Sequence, residues 1–216
     1  SGSEDSIFVP IIGERVDAHK FIDGALKING ATFTSEHDEP LEGFENKPWI
    51  KVADTVEAMQ KVGTFYRNRM NLPVVAVTGS VGKTSTKEVI ASVLNQKYHT
   101  LKTQGNFNNE LGLPLTIFRL RDGDEIAVLE MGISDFGEMT RLAQIARPDT
   151  CVITNIGTCH LENLGDRNGV LKAKTEIFKF LRPDGHIVLN GDDDKLITVK
   201  KYEKIKPVFF GMSNDC

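Results

Sequence analysis

The stretch Val74-Val75-Ala76-Val77-Thr78-Gly79-Ser80-Val81-Gly82-Lys83-Thr84-Ser85 decides how this chain reads. Val74 to Val77 is a continuous apolar run of the kind that forms a strand buried on both faces. Gly79 and Gly82 follow at once, and from Lys83 the residues take a helical period to about Lys97, with Val89, Ile90, Val93 and Leu94 on one face. A phosphate-binding loop needs these parts in this order. Glycine lets the backbone curl and aim its N–H groups inward, and the helix brings the positive end of its dipole. A lysine reaches the terminal phosphates and a hydroxyl is placed for magnesium. The candidate nucleotide-binding residues are therefore Gly79, Ser80, Val81, Gly82, Lys83, Thr84 and Ser85. The strict spacing G-x-x-x-x-G-K-[ST] asks for glycine at position 77, where Val77 stands, so the loop is a shortened variant. The competing reading is a tight glycine turn with an exposed lysine. The adjoining strand, helix, lysine and hydroxyl together weigh against it.

Outward from this loop the pattern repeats. Apolar strands are expected over 100–103, 125–130, 150–155, 186–190 and 207–210, with helices over 136–146 and 168–181 between them. Such alternation predicts an α/β fold, a mostly parallel sheet of P-loop ATPase type with helices on both faces. Before Asn71 the rhythm differs: strands over 6–12, 31–34 and 49–52, a helix over 18–28, and a second helix capped by Asp54 and running to Arg69. This predicts two domains, a small α/β piece over 1–70 and the sheet domain over 71–216, with the latter cut short after its last strand.

In an open α/β sheet, ligands sit beyond the carboxyl ends of the strands. Glu130 ends one strand; Thr154-Asn155 ends another, with His160 just beyond. A carboxylate and an imidazole there suit magnesium ligation or placement of a water near a γ-phosphate. Alone, Glu130 is a solvated strand end and His160 a loop histidine; gathered on one edge, they favour function. Asn108 and Asn109 lie in a polar loop where asparagine serves either as a helix cap or as a neutral phosphate ligand, and spacing favours the cap. Lys172 and Lys174 face apart on a helix by about 200°. Lys174 shares a face with Val170, Leu171, Ile177 and Phe178, so it is the inward lysine, with the depressed pKa and nucleophilic neutral form that covalent modification requires. Asn190-Gly191-Asp192-Asp193-Asp194 is balanced between a turn with an acidic helix start and a nucleotide contact.

The 216 residues carry 26 basic and 30 acidic side chains, a net charge of -4, which argues against a general nucleic-acid binder. Cys151, Cys159 and Cys216 form no C-x-x-C pair, so a reduced, cytoplasmic setting is expected. No apolar run reaches the roughly 18 residues needed to span a bilayer, and no signal segment opens the chain, so no membrane role is expected.

The segments 78–88 (T-G-S-V-G-K-T-S-T-K-E), 105–116 (G-N-F-N-N-E-L-G-L-P-L-T), 130–132 (E-M-G), 155–165 (N-I-G-T-C-H-L-E-N-L-G), 172–178 (K-A-K-T-E-I-F) and 189–194 (L-N-G-D-D-D) resemble the Mur ligases of bacterial peptidoglycan synthesis. Segment 7–22 resembles the amino-terminal domain of that family, with Ala18 standing where the family's D-G-H has glycine. The pattern is nearest the branch that adds D-alanyl-D-alanine to UDP-N-acetylmuramoyl-tripeptide. The resemblance implies an amino-terminal domain (1–70) for the UDP end of that substrate and a central ATP-binding domain (71–216), with a further carboxyl-terminal domain absent. It implies ATP and Mg2+ as cofactors. Lys83 would grip the β- and γ-phosphates and Thr84 would ligate magnesium. Glu130 and His160 would take metal and catalytic positions, and Lys174 would carry a carbamate that helps hold a second magnesium. Asn108 or Asn109 would lie near the reacting phosphate. It also implies a monomeric ATP-dependent amide ligase serving cell-wall biogenesis, cell shape and division, inactive as this fragment alone. A sister Mur enzyme, a folylpolyglutamate synthase-like ligase and a nucleotide-binding module without ligase activity are the alternatives.

Overall fold

A computed structural model describes residues 2–212, and Cys216 lies outside them. The chain divides into two compact units, 1–62 and 63–216. In the first, β1 (Ile7–Phe8) is followed by a 3-10 turn (Ala18–Phe21), α1 (Ile22–Leu26), β2 (Ala31–Thr34) and β3 (Trp49–Lys51), and the strands form a parallel sheet in the order β1-β2-β3. The strand expected over 6–12 stops at Phe8, since Pro10 has no N–H to give to a ladder. The helix expected over 18–28 is shorter and begins as a 3-10 turn capped by Asp17, whose carboxylate accepts from the His19 N–H at 2.8 Å. The His19 ring is buried and fully engaged. Its Nε2 accepts from the Ser35 N–H at 3.0 Å, so Nδ1 carries the proton and donates to Asp17 Oδ1 at 2.7 Å. The helix α2 (Thr55–Arg69) opens as expected, with Asp54 Oδ1 accepting from the Glu57 N–H at 2.8 Å.

The second unit runs β4 (Val74–Thr78), α3 (Lys83–Leu94), β5 (Thr100–Lys102), α4 (Gly112–Ile117), β6 (Ile126–Glu130), α5 (Glu138–Ala146), β7 (Thr150–Ile153), α6 (Leu161–Leu164), α7 (Arg167–Thr175), β8 (His186–Asn190) and β9 (Val208–Phe210). Its six strands are all parallel, in the order β5-β6-β4-β7-β8-β9. Alternation along each strand sorts side chains into two layers. Val74, Ala76, Ala127, Leu129, Cys151, Ile153, Ile187 and Leu189 join the large core beneath α4, α5 and α7. Val77, Val128 and Val152 join Ala91 of α3 in the smaller layer on the other face. The continuous apolar runs in the sequence are therefore strands covered on both sides.

Two helices differ from the sequence reading. The helix expected over 168–181 is α-helical only to Thr175, then tightens into a 3-10 turn over Glu176–Phe180. Half of the expected face of α3 meets the sheet: Ile90 and Leu94 pack on the smaller layer, whereas Val89 and Val93 are 63% and 66% exposed and Lys87 and Ala91 are buried. The start of α3 sets its rotation. Thr84 must face the strand ends, and the residues one and two turns below it are then Lys87 and Ala91.

Candidate active site

β4 lies between β6 and β7, and the register brings Val77 beside Glu130 and Thr78 beside Ile153. The chain order reverses around β4, which makes the carboxyl end of this strand the crevice of the sheet. The glycine loop begins there. Gly79 has φ 149°, and a Cβ on it would come within 1.9 Å of Thr154 Oγ1, so only glycine fits. Gly82, at φ 80°, turns the chain into α3. The first intrahelical bond runs from the Thr86 N–H to the Gly82 carbonyl at 2.9 Å, so the N–H groups of Lys83, Thr84 and Ser85 have no acceptor within the helix.

Asn155, at the end of the neighbouring strand, holds the loop in shape. Its Oδ1 accepts from the Ser80 and Val81 N–H groups at 3.0 and 2.9 Å. Two of the residues expected to contact nucleotide through their amides thus point them at Asn155. The helix-opening amides 83–85 are the ones left for an anion. The Ser80 hydroxyl accepts from the Gly157 N–H at 2.8 Å and from Cys159 Sγ at 3.2 Å, tying the loop to the segment that carries His160. Lys83 Nζ folds back on its own loop, 3.0 Å from the Gly79 carbonyl.

Glu130 is 2% exposed and sits directly behind Thr84. Its Oε1 accepts from the Thr84 hydroxyl at 3.1 Å and from Asn108 Nδ2 at 2.8 Å. Its Oε2 is buried with no hydrogen-bond partner among the described residues. The Asn108 carboxamide packs over Gly132, where a Cβ would approach it to 3.2 Å. Asn109 does the other job open to this loop: its Oδ1 accepts from the Gly112 N–H at 2.8 Å and caps α4. The two asparagines that sequence could not separate are separated by geometry.

Lys174 is 2% exposed and lies on the inward face of α7 with Val170 and Ala173, whereas Lys172 is exposed and reaches over the Phe136 ring. Burial pushes the Lys174 ammonium down to about 8; Cys159 opposes that shift and the charge of Lys83 adds to it. No hydrogen bond or ion pair joins this amine to another described residue. His160 stands at φ 55° at the head of α6, with its side chain 40% exposed. Lys83, Asn108, Asn109, His160 and Lys174 all line one cleft of about 480 Å³, with Gly79 and Ser80 at its floor. Thr84 and Glu130 adjoin it through Asn108. Ser85, next on α3, is exposed.

Two groups depart from the sequence reading or were missing from it. The 190–194 cluster is a set of struts. Asp193 accepts from the Ile156 N–H at 2.8 Å and caps the turn at Lys195 and Leu196, and Asp194 pairs with Arg167. Lys87, which the sequence reading left unassigned, is among the largest fully buried side chains and lies 3.8 Å from Glu130 Oε2. The signal was its place one turn after Thr84 on the face of α3 turned to the sheet. Cys151 is buried in the core, which pushes its thiol pKa up, and both it and Cys159 are free.

A glycine loop feeding a helix at the reversal point of a parallel sheet, with a buried carboxylate behind the helix-opening hydroxyl, defines a P-loop-type ATPase fold. The chain belongs to the Mur ligase family: residues 77–216 match the Mur ligase middle domain. It is 42% identical over 193 residues to the UDP-N-acetylmuramoyl-tripeptide--D-alanyl-D-alanine ligase of Bacillus subtilis, covering 89% of this chain and 42% of that protein. Among solved structures it resembles MurF from Acinetobacter baumannii at a TM-score of 0.89 and 33% identity, covering 97% of this chain and 46% of the other. It also resembles MurF ligase from Thermotoga maritima in complex with ADP, at a TM-score of 0.87 and 36% identity, covering 97% of this chain and 48% of the other. The chain spans a little under half the length of these relatives.

Proposed function

We propose that this chain is the nucleotide-binding part of an ATP-dependent amide ligase that adds D-alanyl-D-alanine to UDP-N-acetylmuramoyl-tripeptide in peptidoglycan precursor synthesis. The observation that carries the proposal is the single cleft lined by Lys83, Asn108, His160 and Lys174, backed by Thr84 and Glu130. The names of the relatives supply the substrates. On the same reading, residues 1–70 belong to the domain that takes the UDP end, residues 71–216 to the ATP-binding domain, and the protein is a cytoplasmic monomer. No helix among the described residues is long and apolar enough to cross a membrane.

The donor set fits magnesium. Thr84 offers a hydroxyl, and Glu130 offers a buried carboxylate with one oxygen free of hydrogen bonds; these are hard oxygen ligands on adjoining elements. When bound, the ion supplies charge neutralisation between the phosphates and the substrate carboxylate. The residues of the chain do the rest. The helix-opening amides of Lys83, Thr84 and Ser85 and the Lys83 ammonium hold the β- and γ-phosphates. The peptide carboxylate can then attack the γ-phosphorus while the β–γ bridging bond breaks and ADP leaves. The resulting acyl phosphate is attacked at carbon by the D-alanyl-D-alanine amine; the C–O bond to phosphate breaks, inorganic phosphate departs and the nitrogen loses a proton. His160 lies on the cleft wall in reach of this chemistry. Lys174, with its depressed pKa and unpaired amine, is suited to attack CO2, losing a proton from nitrogen to form a carbamate. That carbamate adds a carboxylate where a second cation would sit.

The test is phosphate release by the full-length protein from ATP with D-alanyl-D-alanine and each muramyl peptide in turn. Release with the tripeptide alone is expected. Release with another muramyl peptide or with a folate would assign a sister ligase or a folylpolyglutamate synthase-like enzyme, and tight ATP binding without release would leave only a nucleotide-binding module.

A further inference from the structure

We infer that Lys87 is a positioning residue of the cation site: its ammonium, tethered by Glu88 and the Thr103 carbonyl and lying 3.8 Å from the buried Oε2, fixes Glu130 from behind and holds the edge of the carboxylate that bears Oε1 toward Thr84, where a divalent cation would meet it. The inference rests on the nucleotide–magnesium reading above and adds to it a residue that touches neither nucleotide nor metal.

Lys87 follows Lys83 by four residues and Thr84 by three, so all three share one face of α3. Its side chain is 1% exposed. Nζ donates to the Thr103 carbonyl at 2.8 Å and pairs with Glu88 Oε1 at 2.9 Å. These two partners leave it 3.8 Å from Glu130 Oε2, too far for a hydrogen bond and close enough for strong attraction in a dry interior. An untethered lysine would close that gap and draw the carboxylate back from Thr84. The tether prevents this while still giving the buried carboxylate a countercharge, without which its burial would be very costly.

The remaining contacts fix the plane of the carboxylate. Oε1 is held by Thr84 and Asn108, and the Glu130 N–H donates to Thr103 Oγ1 at 3.0 Å. Thr103 therefore grips both members of the pair, Lys87 through its carbonyl and Glu130 through its hydroxyl. The second oxygen of Glu88 accepts from Lys102 at the partly exposed edge of β5. A file of alternating charge, Lys102, Glu88, Lys87 and Glu130, thus runs from the surface to the site, and each member limits the movement of the next.

A merely structural ion pair and a positioning residue make different predictions. Calorimetric titration of this chain with the non-hydrolysable analogue AMP-PNP, in EDTA and in Mg2+, separates the metal-dependent part of binding from the rest. Lys87→Met should cut the magnesium-dependent gain in affinity by about 10–100-fold, the usual effect of losing an outer partner of a metal ligand, with affinity in EDTA kept within about threefold. Lys87→Arg should retain part of the gain, and Glu88→Gln should lower it by about threefold. An unchanged gain in folded Lys87→Met, or an equal loss in both buffers, overturns the inference. Should Lys87→Met fail to fold, Glu88→Gln decides by the same ratio, and an unchanged ratio there overturns it. A wild-type chain with no magnesium-dependent gain would instead bring down the nucleotide–magnesium reading and this inference with it.

Discussion

The two ends of the six-stranded sheet treat their buried polar groups in opposite ways. At the amino end, Arg67 gives its guanidinium to backbone carbonyls: Nε to Ala146 at 2.9 Å, Nη1 to Met70 at 2.7 Å and Nη2 to Leu72 at 3.1 Å. Beside it Asp149 accepts from the Val74 N–H at 2.8 Å and lies 3.4 Å from Arg182 and 3.9 Å from Arg67. Each guanidinium nitrogen finds an acceptor, and the result is a clasp that joins α2, α5 and the starts of β4 and β7. At the carboxyl end the account does not close. Thr78 Oγ1 and Glu130 Oε2 are buried without hydrogen-bond partners, and the Lys174 amine is buried with no ion-pair partner among the described residues. Burying polar groups unsatisfied is destabilising, so such groups mark the place where a fold keeps valences open for a ligand. Saturated polar clusters hold the molecule together; unsaturated ones are where we propose that it acts.

The largest expected effect breaks the amino-end clasp. Arg67→Met strands three carbonyls and should lower unfolding free energy by about 3–5 kcal/mol in urea titrations, while the folded fraction still binds nucleotide. The carboxyl end should show the reverse. Among the described residues Lys83 Nζ hydrogen-bonds to the Gly79 and Ser80 carbonyls of its own loop, so Lys83→Ala should weaken nucleotide by about 100-fold, or ~3 kcal/mol, with the thermal midpoint within about 2 °C of the parent.

Lys174 sharpens the comparison through pH. Its amine titrates near 10.5 when unfolded and about 8 when folded, so between these values the unfolded chain binds more protons and stability rises with pH. Below about pH 8 the penalty of the buried charge is fully present. In CO2-free buffer, Lys174→Met should therefore stabilise the chain at pH 7 by about 1–3 kcal/mol and abolish the rise from pH 8 to 10.5. A parent protein with no such slope would show that the amine is not held in its unpaired, buried state. The smallest effect separates the asparagines: Asn109→Ala should cost about 1 kcal/mol of stability and leave nucleotide affinity alone, whereas Asn108→Ala should disturb the magnesium dependence of binding.

The strand–loop–helix unit at 74–94 was legible because three local signals agree there: an unbroken apolar strand, paired glycines and a helix opened by Lys-Thr. The inward turn of Lys174 was legible from spacing alone, because its neighbours at 170, 171, 177 and 178 are apolar. Less could be read where tertiary contacts override local pattern. α4 carries Gly112 and Pro114, poor helix formers, and is held by burial of Leu113 and Ile117 and by a cap from Asn109. The rotation of α3 was half legible: Ile90 and Leu94 pack on the sheet, but Val89 and Val93 face outward and the loop turns Lys87 inward. No sequence period distinguishes Asn108, bound to Glu130, from Asn109, bound to a helix start, and none gives the grip of Asn155 on the Ser80 and Val81 amides.

The open valences at the carboxyl edge are proposed to belong to one cation-and-nucleotide site. Diffraction from crystals grown with Mg2+ and AMP-PNP tests it most directly. Phosphates are expected against the amides of residues 83–85, with a cation about 2.0–2.1 Å from Thr84 Oγ1 and coordinated, directly or through one water, by Glu130. A nucleotide bound elsewhere, or bound at the loop with Glu130 still facing only Thr84 and Asn108, would contradict it.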